Sequence, residues 1–334
     1  MRIGLAYDLK TDDADERQAE FDSAATINAL RAALQTLGHE VALLGNAYDL
    51  LQAPERLRDI ELVLNIAEGL HGRNREAWVP MLLELHGVPY AGSDALTLAL
   101  GLDKAMAKRL AVAAGVPTPR WISVEQPGAL EEVLPLAFPL IVKPRWEGSG
   151  RGIDAGAVVR SPAALRERLE WLASCCDQPA LVEEFIGGGE LTVCLIGNEP
   201  TVAYPAIQRP LDPQTRLSHH VVKPPPERWE CPLELDEAMD AQARRLALSM
   251  FEALGCRDMA RVDFRVDEAG QLQFLEINPL PSFDPEGSFG LLAEHLGMSY
   301  PDLVGQILEA AVRRLHRAAA PRPRRLQPAA PEPR

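Results

Sequence analysis

The sequence predicts an α/β fold assembled from several units, on three observations. Strand-like and helix-like stretches alternate through the N-terminal part in a βαβ rhythm, which implies a parallel sheet with helices on its faces. A buried apolar strand from Phe138 to Lys143 runs into a glycine-rich loop from Arg145 to Gly152. Two alternating strands from Met259 to Asn278 carry acids and an amide on one face, and Pro279 stops the second. A chain of 334 residues has room for two or three domains, and 47% hydrophobic with 25% charged residues is the make-up of a soluble globular protein.

Composition narrows the function classes. No apolar run reaches the ~18 residues of a membrane span, and the longest candidate, Leu134 to Val142, holds Pro135 and Pro139. The N-terminus reads as a strand that meets acid at Asp8, not as a signal peptide. Five cysteines show no metal-type spacing, and Cys175 and Cys176 are adjacent, so reduced thiols in a cytoplasm are expected. The formal net charge is −14, and seven arginines fall within residues 313–334, so the remainder is more acidic still. That argues against a nucleic-acid-binding core. Residues 317–334, rich in Pro, Ala and Arg, are expected to be a disordered basic tail, either a contact arm or a solvated extension.

Taken in order, residues 2–7 form a first strand, Asp22 to Leu37 an amphipathic helix closed by Gly38, and Glu40 to Leu44 and Glu61 to Asn65 the next strands. No G-x-G-x-x-G follows the first strand, which makes the usual dinucleotide fold unlikely on motif grounds. Polar residues from Asn65 to Glu76 crowd the end of the third strand, where ligands bind in open α/β sheets. Helices follow from Glu76 to His86 and from Asp103 to Gly115, with a first boundary near residues 95–118. A second βαβ-rich unit holds the strand to Lys143, a helix from Ser161 to Ser174 and a strand from Ala180 to Ile186. The loop at Glu147-Gly148-Ser149 suits backbone N–H groups laid against phosphate, although glycine-rich hairpins are common for structural reasons. It is not a Walker A loop, because the lysine precedes the glycines. Gly187-Gly188-Gly189 marks a second boundary. Then come a strand from Glu190 to Gly197, a long proline-rich loop from Pro200 to Pro226 able to cover a site, and a helix from Leu235 to Gly255. Helices from Ser288 to His295 and Pro301 to Arg314 finish the fold.

Between them lies the most informative stretch. Arg261 and Asp263 share a strand face opposite Val262, Phe264 and Val266, while Glu276 and Asn278 share a face of the next strand. A hairpin through Asp267 to Gly270 brings Asp263, Glu276 and Asn278 together beside Arg261. Three oxygen donors next to a guanidinium suit Mg²⁺ shared with a polyphosphate. A half-exposed hairpin with its polar face in water fits the alternation equally well, so partners elsewhere decide.

In this order and spacing, His71-Gly72-Arg73 with Glu76, Gly87-Val88-Pro89-Tyr90, Asp103-Lys104, Lys143-Pro144 with Glu147-Gly148-Ser149, Glu183 with Glu190, and Arg261-Val262-Asp263 with Glu276-Ile277-Asn278-Pro279 resemble the ATP-grasp superfamily and, within it, the D-alanine–D-alanine ligase family. The resemblance covers roughly residues 61–315. It implies an α/β ATP-grasp fold: an N-terminal domain (1–95), a central ATP-binding lobe (96–187) and a C-terminal lobe (188–316) ahead of the tail. It implies that Lys104 and Lys143 hold ATP phosphates under the loop of Glu147, Gly148 and Ser149. Glu183 with backbone at Phe185 and Ile186 would meet adenine, and Glu190 the ribose. Asp263, Glu276 and Asn278 would hold two Mg²⁺, with Mn²⁺ as a substitute. Arg261 would stabilise an oxyanion with backbone near Ser282. The implied reaction joins two amino acids through an acyl phosphate, releasing ADP, and a homodimer through the first domain is implied with it.

The sequence also departs from the family. The glycine-rich opening loop is replaced by Tyr7-Asp8-Leu9-Lys10 and an acidic run. Glu20 stands in for the family's glutamate or is an exposed acid at a helix start. The lid's Lys-Tyr pair is replaced by Ser218 to Pro224, where Lys223 is the candidate lysine and His219-His220 are either substrate contacts or solvent-exposed. Ser282 stands where glycine is usual, and one residue is inserted before Ser288, the candidate for the second substrate's carboxylate. Glu20, His71, Lys223 and Ser288 make up the implied substrate set, and Arg261, Ser149 and Ser282 the implied catalytic one. The nucleotide half is intact and the amino-acid half altered, so an ATP-dependent carboxylate–amine ligase of altered specificity is the expected function. A non-catalytic ATP-binding module and an acyl-phosphate-forming kinase are the alternatives.

Overall fold

The computed structural model describes residues 1–129, 134–218 and 226–319, with the side chains of 318 and 319 left out. The predicted parallel sheet is present. Strands β1 (Arg2–Ala6), β2 (Glu40–Gly45), β3 (Leu62–Asn65) and β4 (Tyr90–Ala91) lie in the order β2-β1-β3-β4, all parallel. Helices α1 (Ala24–Thr36), α2 (Ala47–Gln52) and α3 (Trp78–His86) connect them. α1 begins two residues later than the expected start at Asp22: Ser23 is the N-cap, and its side chain accepts from the Thr26 N–H. Asp22 is thereby left out of the capping.

α4 (Ala95–Leu102) and α5 (Lys104–Ala113) lead to a second sheet of β5 (Trp121–Val124), β6 (Leu140–Pro144), β7 (Val158–Val159) and β8 (Ala180–Glu184), in the order β5-β8-β6-β7. Every pairing in it is antiparallel, which corrects the simple parallel unit expected here. The rhythm itself is real. β7 and β8 run the same way with α6 (Pro162–Cys175) between them, but each pairs with β6, which runs against both. The glycine-rich loop is the β6–β7 connection.

The third sheet is antiparallel and holds β9 (Gly189–Gly197), β10 (Thr201–Ala203), β11 (Ile207–Gln208), β12 (Met259–Val266) and β13 (Leu272–Asn278), in the order β10-β9-β12-β13 with β11 also on β9. β10 and β11 fall within the stretch read as a loop. Gly189 belongs to β9 and pairs with Val266, and a Cβ at this position would meet the Leu233 side chain at 2.4 Å. α7 (Glu237–Leu254), α8 (Ser288–His295) and α9 (Tyr300–Ala319) follow. α9 outruns its predicted end. Arg314 on it donates to Asp258 at 2.7 and 2.9 Å and to the Tyr90 carbonyl at 2.8 Å, pinning the helix across the first and third sheets.

The apolar cores follow the sheets. Ile3, Leu5, Leu30 and Leu34 share one with Phe289, Val304 and Ile307, so the N-terminal sheet packs on the last helices. Leu191, Val193, Val262, Phe264 and Phe274 pack under α7 in a second. Leu140, Val142, Val182 and Leu169 form a smaller, separate third core. A cleft of about 580 Å³ opens where the three sheets meet. Among the described residues, no helix is long and apolar enough to cross a membrane.

Candidate active site

The floor of the cleft is the β12–β13 hairpin. Its register sets Asp263 opposite Glu276 and Arg261 opposite Asn278, with an irregularity just beyond Asp263. Opposed residues on an antiparallel pair lie ~5 Å apart on one face, so all four side chains line the cleft. Arg261 donates to Asp263 from Nη2 at 3.0 Å and from Nε at 3.1 Å. Thr192 on β9 donates to the same carboxylate at 2.7 Å. Lys104, the first residue of α5, reaches Glu276 at 3.0 Å and the Glu147 carbonyl at 2.5 Å. Burial alone would raise the Glu276 pKa, but Lys104, Lys143 and Arg261 hold it down to about 2.

The second sheet forms the opposite wall. Lys143 donates to Glu183 Oε1 at 2.5 Å, and Lys108 reaches Glu183 Oε2 at 2.8 Å. Lys108 was missed in the sequence. It is fully buried and also donates to Thr118 Oγ1 at 2.8 Å and the Phe274 carbonyl at 3.3 Å. Burial lowers its ammonium to about 8 against the pull of Glu183, and the two lysines hold Glu183 below the ordinary carboxylate range despite its own burial. A signal existed: Lys104 and Lys108 stand four apart, on one face of α5. Glu190 pairs with Arg265 at 2.8 Å, yet burial still raises its pKa.

The loop after β6 is held from both sides. Buried Asp103 takes both Nε and Nη2 of Arg145, at 2.7 and 2.8 Å. Gln178 accepts from the Trp146 N–H and donates to Glu147 Oε1, each at 2.7 Å. Ser149 adopts φ 47°, Gly150 71° and Gly152 70°, a left-handed run that only small residues tolerate cheaply. A Cβ on Gly148 would strike Glu20 Oε1 at 2.2 Å, so the loop and the N-terminal segment touch.

Glu20 therefore faces the loop rather than solvent. Arg75 holds it in a short ion pair and donates to the Trp146 carbonyl at 2.7 Å, tying the first sheet to the loop. Beyond them the cleft wall turns acidic, through Asp22, Glu68 and Asp284. Burial and the nearby Asp284 push the Asp22 pKa up to about 7, and burial with Glu76 and Glu20 raises that of Glu68. Ser282 lines the cleft, as does Ser288 at the start of α8. Arg209, also unread in the sequence, donates to Thr192 at 2.9 Å and to the Ser288 hydroxyl in a short bond.

The cleft thus gathers Lys104, Lys143, Glu147, Gly148, Ser149, Glu183, Phe185, Ile186 and Glu190 with the hairpin set and with Glu20, Ser282 and Ser288. His71 does not join them. It sits exposed in the loop after β3, outside the cleft lining. Lys223 and His219-His220 lie outside the described residues.

Comparison with known proteins agrees with this geometry. A family described as "D-ala D-ala ligase C-terminus" matches residues 110–309. A D-alanine–D-alanine ligase of Alcanivorax borkumensis is 34% identical over 94% of this chain and 95% of its own length. Another from Pelotomaculum thermopropionicum is 34% identical over 78% of this chain and 84% of its own. A Sinorhizobium fredii protein named only as uncharacterized protein y4sG is 36% identical over 85% and 86%. Among solved structures, the D-alanine–D-alanine ligase of Bacillus anthracis complexed with ATP superposes with TM-score 0.75 at 24% identity, over 95% of this chain and 99% of that one. The VanG D-Ala:D-Ser ligase of Enterococcus faecalis superposes with TM-score 0.73 at 19% identity, over 93% and 99%. These likenesses at low identity give the ATP-grasp fold, and the sequence relatives give the family. The chain belongs to the D-alanine–D-alanine ligase family and is an ATP-dependent ligase of the ATP-grasp fold.

Proposed function

We propose that this ligase joins two amino acids through an acyl phosphate, with ATP between the second and third sheets and an amino-acid site unlike that of D-alanine–D-alanine ligases. One observation carries the reading: Asp263 and Glu276 oppose each other on the cleft floor, with Lys104, Lys143 and Arg261 converging on them. Lys104 and Lys143 bind the phosphates as point charges, and the loop of Glu147 to Gly152 covers them. Glu183 with backbone at Phe185 and Ile186 meets adenine, and Glu190 the ribose.

The donor set fits Mg²⁺, or Mn²⁺ in its place. Asp263, Glu276 and Asn278 offer only oxygen, and Glu276 stays ionised far below neutrality. Among the described residues no three His, Cys, Asp or Glu side chains could hold a metal by themselves. That suits an ion that completes its shell with phosphate. Bound there, Mg²⁺ neutralises charge on the phosphate oxygens.

A substrate carboxylate attacks the γ-phosphorus and ADP leaves. An amine then attacks the acyl carbon, and phosphate leaves with the C–O bond electrons. Arg261, fixed by Asp263, faces the oxyanion of that second step, with backbone N–H groups near Ser282. Arg209 beside the Ser288 hydroxyl places positive charge near the position of the second amino acid's carboxylate. The same reading divides the chain at 95 and 187 and takes the first domain as the surface of a homodimer.

The test is release of ADP and phosphate by the pure protein with ATP, Mg²⁺ and a panel of D- and L-amino acids, with mass spectrometry of the products. Amino-acid-dependent phosphate release with a condensed product is expected. ATP binding without turnover across the panel overturns catalysis in favour of a binding module. Phosphorylated amino acid without condensation leaves a kinase.

A further inference from the structure

The acidic end of the cleft holds more negative charge than one α-amino acid neutralises. Asp22 is 9% exposed, lines the cleft, and makes no side-chain hydrogen bond or ion pair among the described residues; Lys10 on the same lining attracts it only from beyond ion-pair distance. The fold does not use it, since Ser23 caps α1 in its place. The side chain of Glu68, half-buried on the same wall, likewise has no ion pair or hydrogen bond among the described residues. Among the described residues the Asp284 carboxylate accepts only from neutral donors, the Thr26 hydroxyl at 3.3 Å and the Glu286 N–H at 2.9 Å. Glu20, by contrast, is committed to Arg75. A carboxylate shut away from water without a partner is costly, and three in one cavity repel one another. An organic cation matches them.

Given the ligase reading, we propose that one of the two amino-acid substrates carries a second cationic group, a side-chain amine, bound by Asp22, Glu68 and Asp284. Its α-carboxylate or its reacting carboxyl lies toward Arg209 and the hairpin, and its side-chain ammonium fills the acidic end. Alanine leaves these three carboxylates unmatched, so a neutral amino acid is the poorer ligand.

Calorimetry on the full-length protein with Mg²⁺ and a non-hydrolysable ATP analogue tests this. The probes are both enantiomers of lysine, ornithine and alanine, and lysine acetylated on its side-chain amine. Lysine or ornithine is expected to bind at least about tenfold tighter than alanine and acetyl-lysine, the scale of one desolvated charge pair. Asp22→Asn is expected to erase that preference, and Asp22→Glu to keep most of it. Equal or tighter binding of the neutral probes, or a preference that survives Asp22→Asn, overturns the inference. No binding of any basic probe also overturns it. Phosphate release with hydrolysable ATP separates this from the ligase reading. Preferential binding without condensation sinks the ligase reading alone, and condensation of neutral amino acids only sinks the inference alone.

Discussion

At the end of the cleft floored by β12 and β13, every carboxylate has its cation. Asp263 has Arg261, Glu276 has Lys104, Glu190 has Arg265, and Glu183 has two lysines. At the other end, formed by the segment before α1, the loop after β3 and the loop before α8, Asp22 and Glu68 have no close ion pair among the described residues, and feel Lys10 and Arg75 only as more distant charges. The same chemical groups, comparably buried, are thus treated in opposite ways within one cavity. Paired charges hold a geometry that must be ready before substrate arrives. Unpaired ones raise the energy of the empty state and lower it only when something positive enters. The comparison separates the part of the site that does the phosphate chemistry from the part that chooses the substrate.

The strongest way to break this division is at the paired end. Asp263→Asn or Glu276→Gln is expected to lower kcat by at least about 10², because each removes charge held against the transferring phosphate. Steady-state phosphate release measures it, and near-normal turnover in either variant removes these residues from the metal site.

Lys108→Met probes the same end for stability. It leaves buried Glu183 with Lys143 alone, and breaking buried charge sets of this kind costs about 2–4 kcal/mol. Urea denaturation reads the loss directly. The sign with pH is fixed by Glu183, whose carboxyl is held below its ordinary range in the folded protein. Its contribution is present above that range and fades as pH falls through the folded value. Wild type should therefore lose stability on acidification more steeply than the variant. Identical slopes would mean that Lys143 alone sets the Glu183 charge.

Those two ends were not equally legible. The hairpin announces itself because a period of two puts Arg261 with Asp263 and Glu276 with Asn278, and the antiparallel register then has few ways to close. The order of the sheets and the loop after β6 follow from similarly local patterns. Lys108, Arg145 and Arg209 act through partners far along the chain, at Glu183, Asp103 and Ser288, and no local period reports such pairs. Arg75 reads as one more polar loop residue until the fold brings it against Glu20 and Trp146. Asp22 was hidden for a subtler reason. An acid at a helix start is ordinary, and only the Ser23 cap shows that this one serves no helix. His71 misled in the other direction, since its motif lies at the end of a sheet strand but the side chain stays in solvent.

The smallest effect sharpens the comparison most, because it has the opposite sign. Burial and Asp284 raise the Asp22 carboxyl to about 7, so between the ordinary carboxylate range and that value the folded protein keeps a proton the unfolded chain has lost. Stability then falls as pH rises across that window and levels off above it. Asp22→Asn removes the penalty, and should stabilise the protein by about 1–3 kcal/mol at pH 8 while changing little at pH 4. Thermal melts at the two pH values measure it. Paired groups lose stability when neutralised, as Glu183 should. A gain at Asp22 would mark a group kept at a cost to the fold, the pattern expected where a ligand rather than the fold needs the charge. A loss at pH 8 would instead mean that Asp22 holds the structure together, and the two ends of the cleft would no longer differ in kind.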